Sequence, residues 1–149
     1  KPSSAASDVY KRQLIKSDIP TQLNFKNSVK ELYMVVKHNS NAGTFNFTNN
    51  ATNIKLQINQ GVKFNDCPEF FSKIQQTFKH TGTIDNVYVY SFALNPESKF
   101  PNGTINMSMI KNQNLTITLG NSISHQLTVY AISHNILYAK ENRGSLHFI

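Results

Sequence analysis

Histidines and acidic residues are the side chains of this chain that could support catalysis or bind a metal. The 149 residues include five histidines and eight acidic residues. No two histidines have the i, i+2 or i, i+4 spacing of common metal sites, the carboxylates are dispersed, and no glycine-rich phosphate loop is present. We therefore predict that the protein is not an enzyme and has no cofactor or metal. The histidines are His38, His80, His125, His134 and His147.

The single cysteine and the net charge narrow the class of protein further. Cys67 cannot form an internal disulfide, so the fold does not depend on one. The formal net charge is +7, but lysines and arginines are scattered singly, whereas nucleic-acid binding needs them clustered. No apolar run reaches the length of a membrane span. We predict no specific nucleic-acid partner and no membrane insertion, with a weak surface for polyanions as the alternative.

Residues 1–13, KPSSAASDVYKRQ, differ in composition from the rest of the chain. They are rich in Ser and Ala and have no periodic pattern. They resemble translated adapter sequence, so we predict an adapter-derived or disordered segment at 1–13 and a folded domain at 14–149.

Alternation of apolar and polar residues predicts several strands in the domain. Ile54–Asn59 alternates most regularly, and Gly61 is expected to end that strand. Val29–His38 is dense in β-branched and aromatic residues, so we expect both of its faces to be buried. Further strands are predicted at Gln22–Phe25, Val87–Phe92, Leu115–Leu119, Leu127–Tyr138 and Leu146–Phe148.

Asp66–His80 is the one segment that reads as a helix. Asp66 could cap its start, and Pro68 suits an early helical position. Its apolar residues recur at helical spacing and are expected to face the core. These residues are Phe70, Phe71, Ile74 and Phe78.

Two chain breakers follow the Val87–Phe92 strand. At Asn95-Pro96 the proline has no N–H and biases its predecessor to extended geometry. Pro101-Asn102-Gly103 is the second breaker, because Asn-Gly suits positive φ. We predict a rigid corner over Asn95–Ser108.

A long polar loop, Asn39–Asn53, carries Phe45 and Phe47 as its large apolar groups. Such a loop projects from the edge or tip of a sheet. The two phenylalanines either tuck back onto the sheet or pack against a neighbouring subunit.

These elements predict an all-β fold, an antiparallel sandwich or jelly roll with one short helix. Six to eight strands are expected, joined by long polar loops.

Four segments together resemble the major capsid protein of nucleocytoplasmic large DNA viruses. Asn27–Val36, NSVKELYMVV, is similar to the family's NHPVKELIWV strand, and Tyr90–Glu97, YSFALNPE, to its YSFALxPE. Pro101–Ser108, PNGTINMS, is similar to PSGTxNFS, and 129–146 resembles the closing strand and tail. The family's Arg and Asp that follow the third motif are replaced by Met109 and Lys111.

The resemblance implies that 14–149 is the second, C-terminal jelly roll of a double jelly-roll protein. It implies a structural role in the virion, assembled inside the infected cell. The implied partners are two further copies in a trimeric capsomer of an icosahedral shell, neighbouring capsomers and minor capsid proteins.

Candidate contact residues and glycan acceptors follow from the loops and the Asn-x-Ser/Thr sites. The subunit-contact or surface residues are Phe45, Phe47, Pro96, Pro101, Asn102 and Gly103. The acceptors, to be glycosylated only if the protein passes through a secretory lumen, are Asn46, Asn50, Asn102, Asn106 and Asn114.

Two other classes of protein remain as alternatives. A secreted β-sandwich recognition module, such as a lectin-like domain, would use the acceptor sites. A basic internal protein that binds the viral genome would show steep salt-dependent binding to DNA.

Overall fold

Antiparallel β-strands make up most of the structure, a computed structural model that describes residues 6–15, 18, 20–38, 47, 50–121, 125–135, 137–140 and 143–146. The strands are β1 (Ala6–Ile15), β2 (Thr21–Leu23), β3 (Ser28–His38), β4 (Ala51–Ile58), β5 (Gly61–Asp66), β6 (Val87–Ser91), β7 (Ile105–Asn106), β8 (Gln113–Leu119), β9 (His125–His134), β10 (Leu137–Lys140) and β11 (Arg143–Leu146).

Two sheets enclose the core. The first has the order β1-β9-β3-β6, with β7 also paired to β3, and the second has the order β2-β8-β4-β5. Strands β1 to β4 alternate between the two sheets, as do β6, β8 and β9, and the pairings are antiparallel. This is the connectivity of a jelly roll. The predicted fold class, with its one short helix, is confirmed.

The core lies between the sheets and follows the predicted alternation. Strand β4 buries Ile54, Leu56 and Ile58, and they pack with apolar residues of β3, β8 and β9. Each such side chain, when fully buried, contributes roughly 1.5–3 kcal/mol. A smaller apolar cluster of Val35, Val87 and Val89 covers the opposite face of β3 and β6. Both faces of β3 are therefore buried, as its composition predicted.

Strand β1 differs from the expectation for residues 1–13. Residues 6–13 form most of β1, which pairs with β9 from Ala6 opposite Ser133 to Ile15 opposite His125. The segment lacks a regular alternation of apolar and polar residues, so its sequence does not predict a strand. It forms one because it pairs with β9, and such pairing between distant segments cannot be read from periodicity. The adapter origin of the segment stays a prediction.

The helix differs from the expected one in its start and in its exposed face. Residues 68–79 are helical, but Phe70–Ile74 is a π-helical turn, and the α-helix α1 (Gln75–Lys79) begins only after it. Asp66 does not cap the helix, because it ends β5. A π-turn carries an extra residue per turn, so it shifts every later side chain around the axis.

Because of this shift, the prediction that all four apolar residues face the core is wrong for two of them. Phe71 is fully buried and Phe70 is half-buried, as predicted, but Ile74 is 48% exposed and Phe78 is 83% exposed. Gln76 takes the buried position five residues after Phe71. Its side-chain amide donates to the carbonyls of Ile84 and Val87.

Several strand boundaries also differ from the predicted ones. Gly61 begins β5 rather than ending a strand, because Asn59, with φ of 53°, turns β4 into a hairpin. The long final strand is divided, since β9 ends at His134 and a separate β10–β11 hairpin follows. None of the helical segments in the described part of the chain has the length and hydrophobicity that a bilayer crossing requires.

Candidate functional site: the corner and its anchor

The predicted corner, Asn95–Ser108, is held closed by the side chain of Asn102, which bonds the backbone of Asn95 in both directions. Asn102 Nδ2 donates to the Asn95 carbonyl at 2.7 Å, and the Asn95 backbone N–H donates to Asn102 Oδ1 at 3.2 Å. The backbone N–H of Leu94 adds a 3.3 Å bond to the Asn102 carbonyl. These bonds join the two breakers that the sequence showed.

Short-range bonds give the corner its inner turn. Asn95 Oδ1 accepts from the Glu97 N–H at 3.1 Å, and the Asn95 carbonyl accepts from the Ser98 N–H at 3.2 Å. Pro96 is buried, and its carbonyl accepts a 2.8 Å bond from Lys30 Nζ of β3. The corner is thus attached to the neighbouring strand as well as to itself.

Gly103 is the position where the corner tolerates no side chain. Its φ is 141°, and a Cβ there would lie 2.8 Å from the Phe92 carbonyl oxygen. Glycine is required both by the left-handed backbone and by the close approach of the preceding chain.

The far end of the corner is attached to the start of β3. The Met107 N–H donates to the Asn27 carbonyl at 2.9 Å, and the Asn27 N–H donates to Ser108 Oγ at 2.8 Å. Buried Gln113 then bridges this end to the segment that follows β2, by donating to the carbonyls of Phe25 and Met107. The three motifs that carry the family resemblance at 27–36, 90–97 and 101–108 therefore form one hydrogen-bonded unit.

The end of the helix anchors the same corner from its other side. Lys79 Nζ donates to the carbonyls of Ala93 and Leu94, at 3.0 and 3.1 Å. Glu97 Oε1 accepts from the Thr81 N–H at 2.9 Å and from Thr81 Oγ1 at 3.1 Å. The corner is held between strand β3 and the helix end.

His80 lies between two carboxylates at this anchor. Its Nε2 is 2.7 Å from Glu31 Oε1, and its Nδ1 is 3.5 Å from Glu97 Oε1. Burial raises the pKa of Glu31 above its ordinary value, although His80, Tyr33 and Lys30 oppose the rise. The bonds from Thr81, and His80 to a smaller extent, lower the pKa of exposed Glu97. Burial also raises the pKa of Tyr33, whose hydroxyl donates to Glu31 Oε2.

This cluster does not have the geometry of a metal site. The two imidazole nitrogens point in opposite directions, so Glu31 and Glu97 cannot share one cation with the ring. No group of three potential metal-ligating side chains occurs within the described ranges. Of the other histidines, His38 and His125 stack edge-to-face at 5.5 Å, His134 lies on β9, and His147 lies outside the described residues.

Large apolar side chains are exposed on and beside the corner. Phe100 lies within it and is 76% exposed, while Leu94 precedes it and Met109 follows it, each 80% exposed. Pro101 is also exposed, whereas Asn102 is half-buried. Met109 is the position at which the family's arginine is missing, and Lys111, also exposed, takes the place of its aspartate.

The polar loop is described at Phe47 and from Asn50 onward, so Phe45 and Asn46 lie outside the described residues. Phe47 is half-buried against the Val35–Val87–Val89 cluster, and Lys37 Nζ lies 5.3 Å from its ring centroid. Within one chain this side chain tucks back onto the sheet, and contact of Phe47 with a neighbouring subunit stays a prediction.

The acceptor asparagines differ in how accessible they are. Asn102 is occupied by its bond to Asn95, and Asn50 Nδ2 lies 3.5 Å from His125 Nε2. Asn114 is half-buried on β8. Asn106 is exposed, and its Oδ1 accepts from the Ser108 N–H. Glycosylation at any of them stays a prediction.

Sequence reasoning predicted the corner but missed its anchor. It treated His80 only as a metal-site candidate and Glu31 only as a dispersed acid. The available signal was Glu31 itself, since a carboxylate in a strand with both faces buried needs a partner. Which residue supplies that partner depends on where the helix ends. The regular helical spacing of the sequence could not predict this, because it does not reveal the π-helical turn.

The fold and this site define a class of protein: a jelly roll with a rigid, multiply anchored corner and exposed apolar side chains. The family model for the large eukaryotic DNA virus major capsid protein matches residues 5–145. The chain belongs to that family. This membership confirms the family that the sequence motifs indicated, and the curated relatives it matches are named as major capsid proteins.

Individual relatives agree with the family assignment. The chain is 30% identical to the major capsid protein of Pyramimonas orientalis virus, over 85% of this chain and 38% of that protein. It is 32% identical to that of Phaeocystis pouchetii virus, over 73% of this chain and 24% of the relative. The chain thus spans well under half the length of these relatives.

A solved structure has the same fold. It is the crystal structure of PBCV-1 VP54, fitted into a cryo-EM reconstruction of the virophage Sputnik. The two match with a TM-score of 0.75 at 22% identity, over 99% of this chain and 48% of that one.

Proposed function

We propose that the chain is the C-terminal jelly roll of a double jelly-roll capsid protein that assembles into homotrimeric capsomers. The fold accounts for one roll, and the matched segment is only 38% and 24% of the length of the two relatives, which supports a second roll in the whole protein. Neighbouring capsomers and minor capsid proteins are its further partners, and assembly takes place inside the infected cell. The role is structural and non-enzymatic.

The corner is the surface that this proposal assigns to contact between subunits. The observation that carries it is the exposure of Leu94 and Phe100, at 80% and 76%, on a backbone held by Asn102, Lys30 and Lys79. Exposed apolar groups suit protein contacts. A backbone that is already ordered loses little entropy on association, so contacts made there are more favourable.

Sizing the protein expressed from its complete reading frame tests the proposal. We expect a trimer by light scattering. Leu94→Ser combined with Phe100→Ser should shift the protein toward monomer without lowering its melting temperature, since both side chains are exposed. Val62→Ser on edge strand β5, where the side chain is 53% exposed, is the matched control and should leave the trimer intact.

Each outcome of this experiment bears on one part of the proposal. A strictly monomeric intact protein would overturn the capsomer assignment. A trimer that is unaffected by the Leu94/Phe100 change would overturn the contact role of the corner. A reading frame without a second jelly roll upstream would overturn the double-roll assignment.

A further inference from the structure

His80 connects two parts of the fold that are far apart in sequence. Glu31 belongs to β3, with its side chain 2% exposed, whereas Glu97 belongs to the corner, with its side chain 41% exposed. The imidazole lies between them and uses one ring nitrogen for each. No element of the proposed capsid role requires an ionisable residue at this place.

A hydrogen bond from His80 to Glu97 would require a proton on Nδ1, because an ionised carboxylate can only accept. If Glu31 is ionised and His80 is neutral, the short contact places the single ring proton on Nε2, because a buried carboxylate needs a donor. The Nδ1 lone pair then faces the Glu97 carboxylate, and the two repel each other. If the Glu31–His80 pair holds one additional proton, Nδ1 carries hydrogen whichever residue holds the extra proton, and it donates to Glu97.

We propose that His80 is a proton-dependent latch, which adds a contact between the corner and β3 when the Glu31–His80 pair holds an additional proton and loses that contact when the proton is lost. His80 is a positioning residue in this proposal, since it acts through Glu97 on the corner backbone. The latch follows from contacts within this chain. Only its consequence, a pH-dependent subunit contact, depends on the proposed function.

The charged neighbours determine the pH range in which the latch holds. Burial raises the pKa of Glu31, so the pair retains its proton to a pH above 4.5, the ordinary value for glutamate. The pKa of Glu97 is lowered, so Glu97 stays ionised down to a pH below 4.5. Lys30 and Tyr33 of β3 also face Glu31 and favour its ionised form. They therefore limit how far the pKa of Glu31, and with it the highest pH at which the latch holds, is raised.

The signs of both contributions place the latch in mildly acidic solution. The contribution of Glu97 is present above 4.5 and is lost as pH falls through its lowered pKa. The contribution of the protonated pair is present at 4.5 and is lost as pH rises through the raised pKa of Glu31. The corner is therefore fastened most tightly between these two limits.

Hydrogen exchange of the 149-residue chain measures the latch directly. The Thr81 amide, which donates to Glu97, and the Ser98 amide, which donates to Asn95, are the reporters. After correction for intrinsic exchange rates, their protection should be highest in the mildly acidic range. It should fall by roughly two- to fivefold toward pH 8, the size expected for one partly exposed ion pair.

Two variants separate the latch from simple packing. Glu97→Gln still accepts from Thr81 but has no charge to attract His80, so the pH dependence of protection should disappear. His80→Gln should abolish it as well. His134→Gln on β9 is the matched control and should retain the wild-type pH profile, because that imidazole makes no described contact with Glu97.

Imidazole ¹⁵N shifts provide a second measurement that needs no variant. The Nδ1 of His80 should have the shift of a protonated nitrogen in the mildly acidic range and that of a bare nitrogen at higher pH. A Thr81 protection profile that is flat with pH, or an Nδ1 that is never protonated, would overturn the latch. Neither readout depends on trimer formation, so the failure of the capsomer assignment would be recognised separately.

Discussion

Asn102 and Asn95 bond each other across the corner in both directions, with Asn102 Nδ2 donating to the Asn95 carbonyl and Asn102 Oδ1 accepting from the Asn95 N–H. The bonds take the place of a backbone ladder in a segment with two prolines, where a ladder would lack donors. The contact joins the second and third motifs of the family resemblance. The corner is thus held rigid by a side chain of one motif, Asn102, that bonds the backbone of another, at Asn95.

Replacing Asn102 with alanine should destabilise the protein. The change leaves the Asn95 N–H and carbonyl without these partners, at a cost of about 0.5–1.5 kcal/mol, the net contribution of ordinary hydrogen bonds at an exposed site where water replaces the lost partner. Urea denaturation measures the loss. Asn112→Ala is the control, since this exposed residue contacts Asn59 through its backbone N–H and carbonyl, which the substitution keeps. Equal effects of the two changes would contradict the clamp.

Gly103→Ala should be more damaging than its small size suggests. The new Cβ would lie 2.8 Å from the Phe92 carbonyl in a backbone with φ of 141°, so we expect a loss of about 1–3 kcal/mol. Gly82→Ala has no atom within 4 Å of the added Cβ and should change stability by less than about 0.5 kcal/mol. A neutral Gly103→Ala would show that the corner is not as tightly held as the contacts indicate.

Two phenylalanines of the helix should respond in opposite ways to truncation. Phe71→Ala removes a fully buried ring that packs on Phe64 and Tyr90, at about 3–5 kcal/mol. Phe78→Ala removes a ring that is 83% exposed and should change stability by less than about 0.5 kcal/mol. Thermal melts of the two variants distinguish the π-helical turn from a regular helix, in which both rings would be costly to remove.

The stability of the protein should depend on Tyr88 in alkaline solution. Burial raises the pKa of Tyr88 to about 12 from an ordinary value of 10.0, so its stabilising contribution is present below pH 10 and is lost as pH rises through 12. Between pH 10 and 12 the free energy of unfolding of the wild type should fall by roughly 2–3 kcal/mol relative to that of Tyr88→Phe. Denaturant midpoints at several pH values measure it, and a constant difference would place the phenol in water.

Part of this protein could be predicted from local sequence because local physics determines it. Alternation in Ile54–Ile58 and 127–133 needs only one buried face, and the structure buries the expected residues there. The corner could be predicted because proline and Asn-Gly constrain the backbone in any context. The ordered motifs then indicated the family, and the match over residues 5–145 confirms it.

Tertiary structure decided the features that depend on partners distant in sequence. Strand β1 exists through its pairing with β9, and the exposure of Phe78 follows from a π-turn that gives the buried position to Gln76. The place of His80 between Glu31 and Glu97 requires a strand, a helix end and a corner to meet. Periodicity reports which residues share a face of one element, and hydrogen bonds between elements decide which of those faces is used.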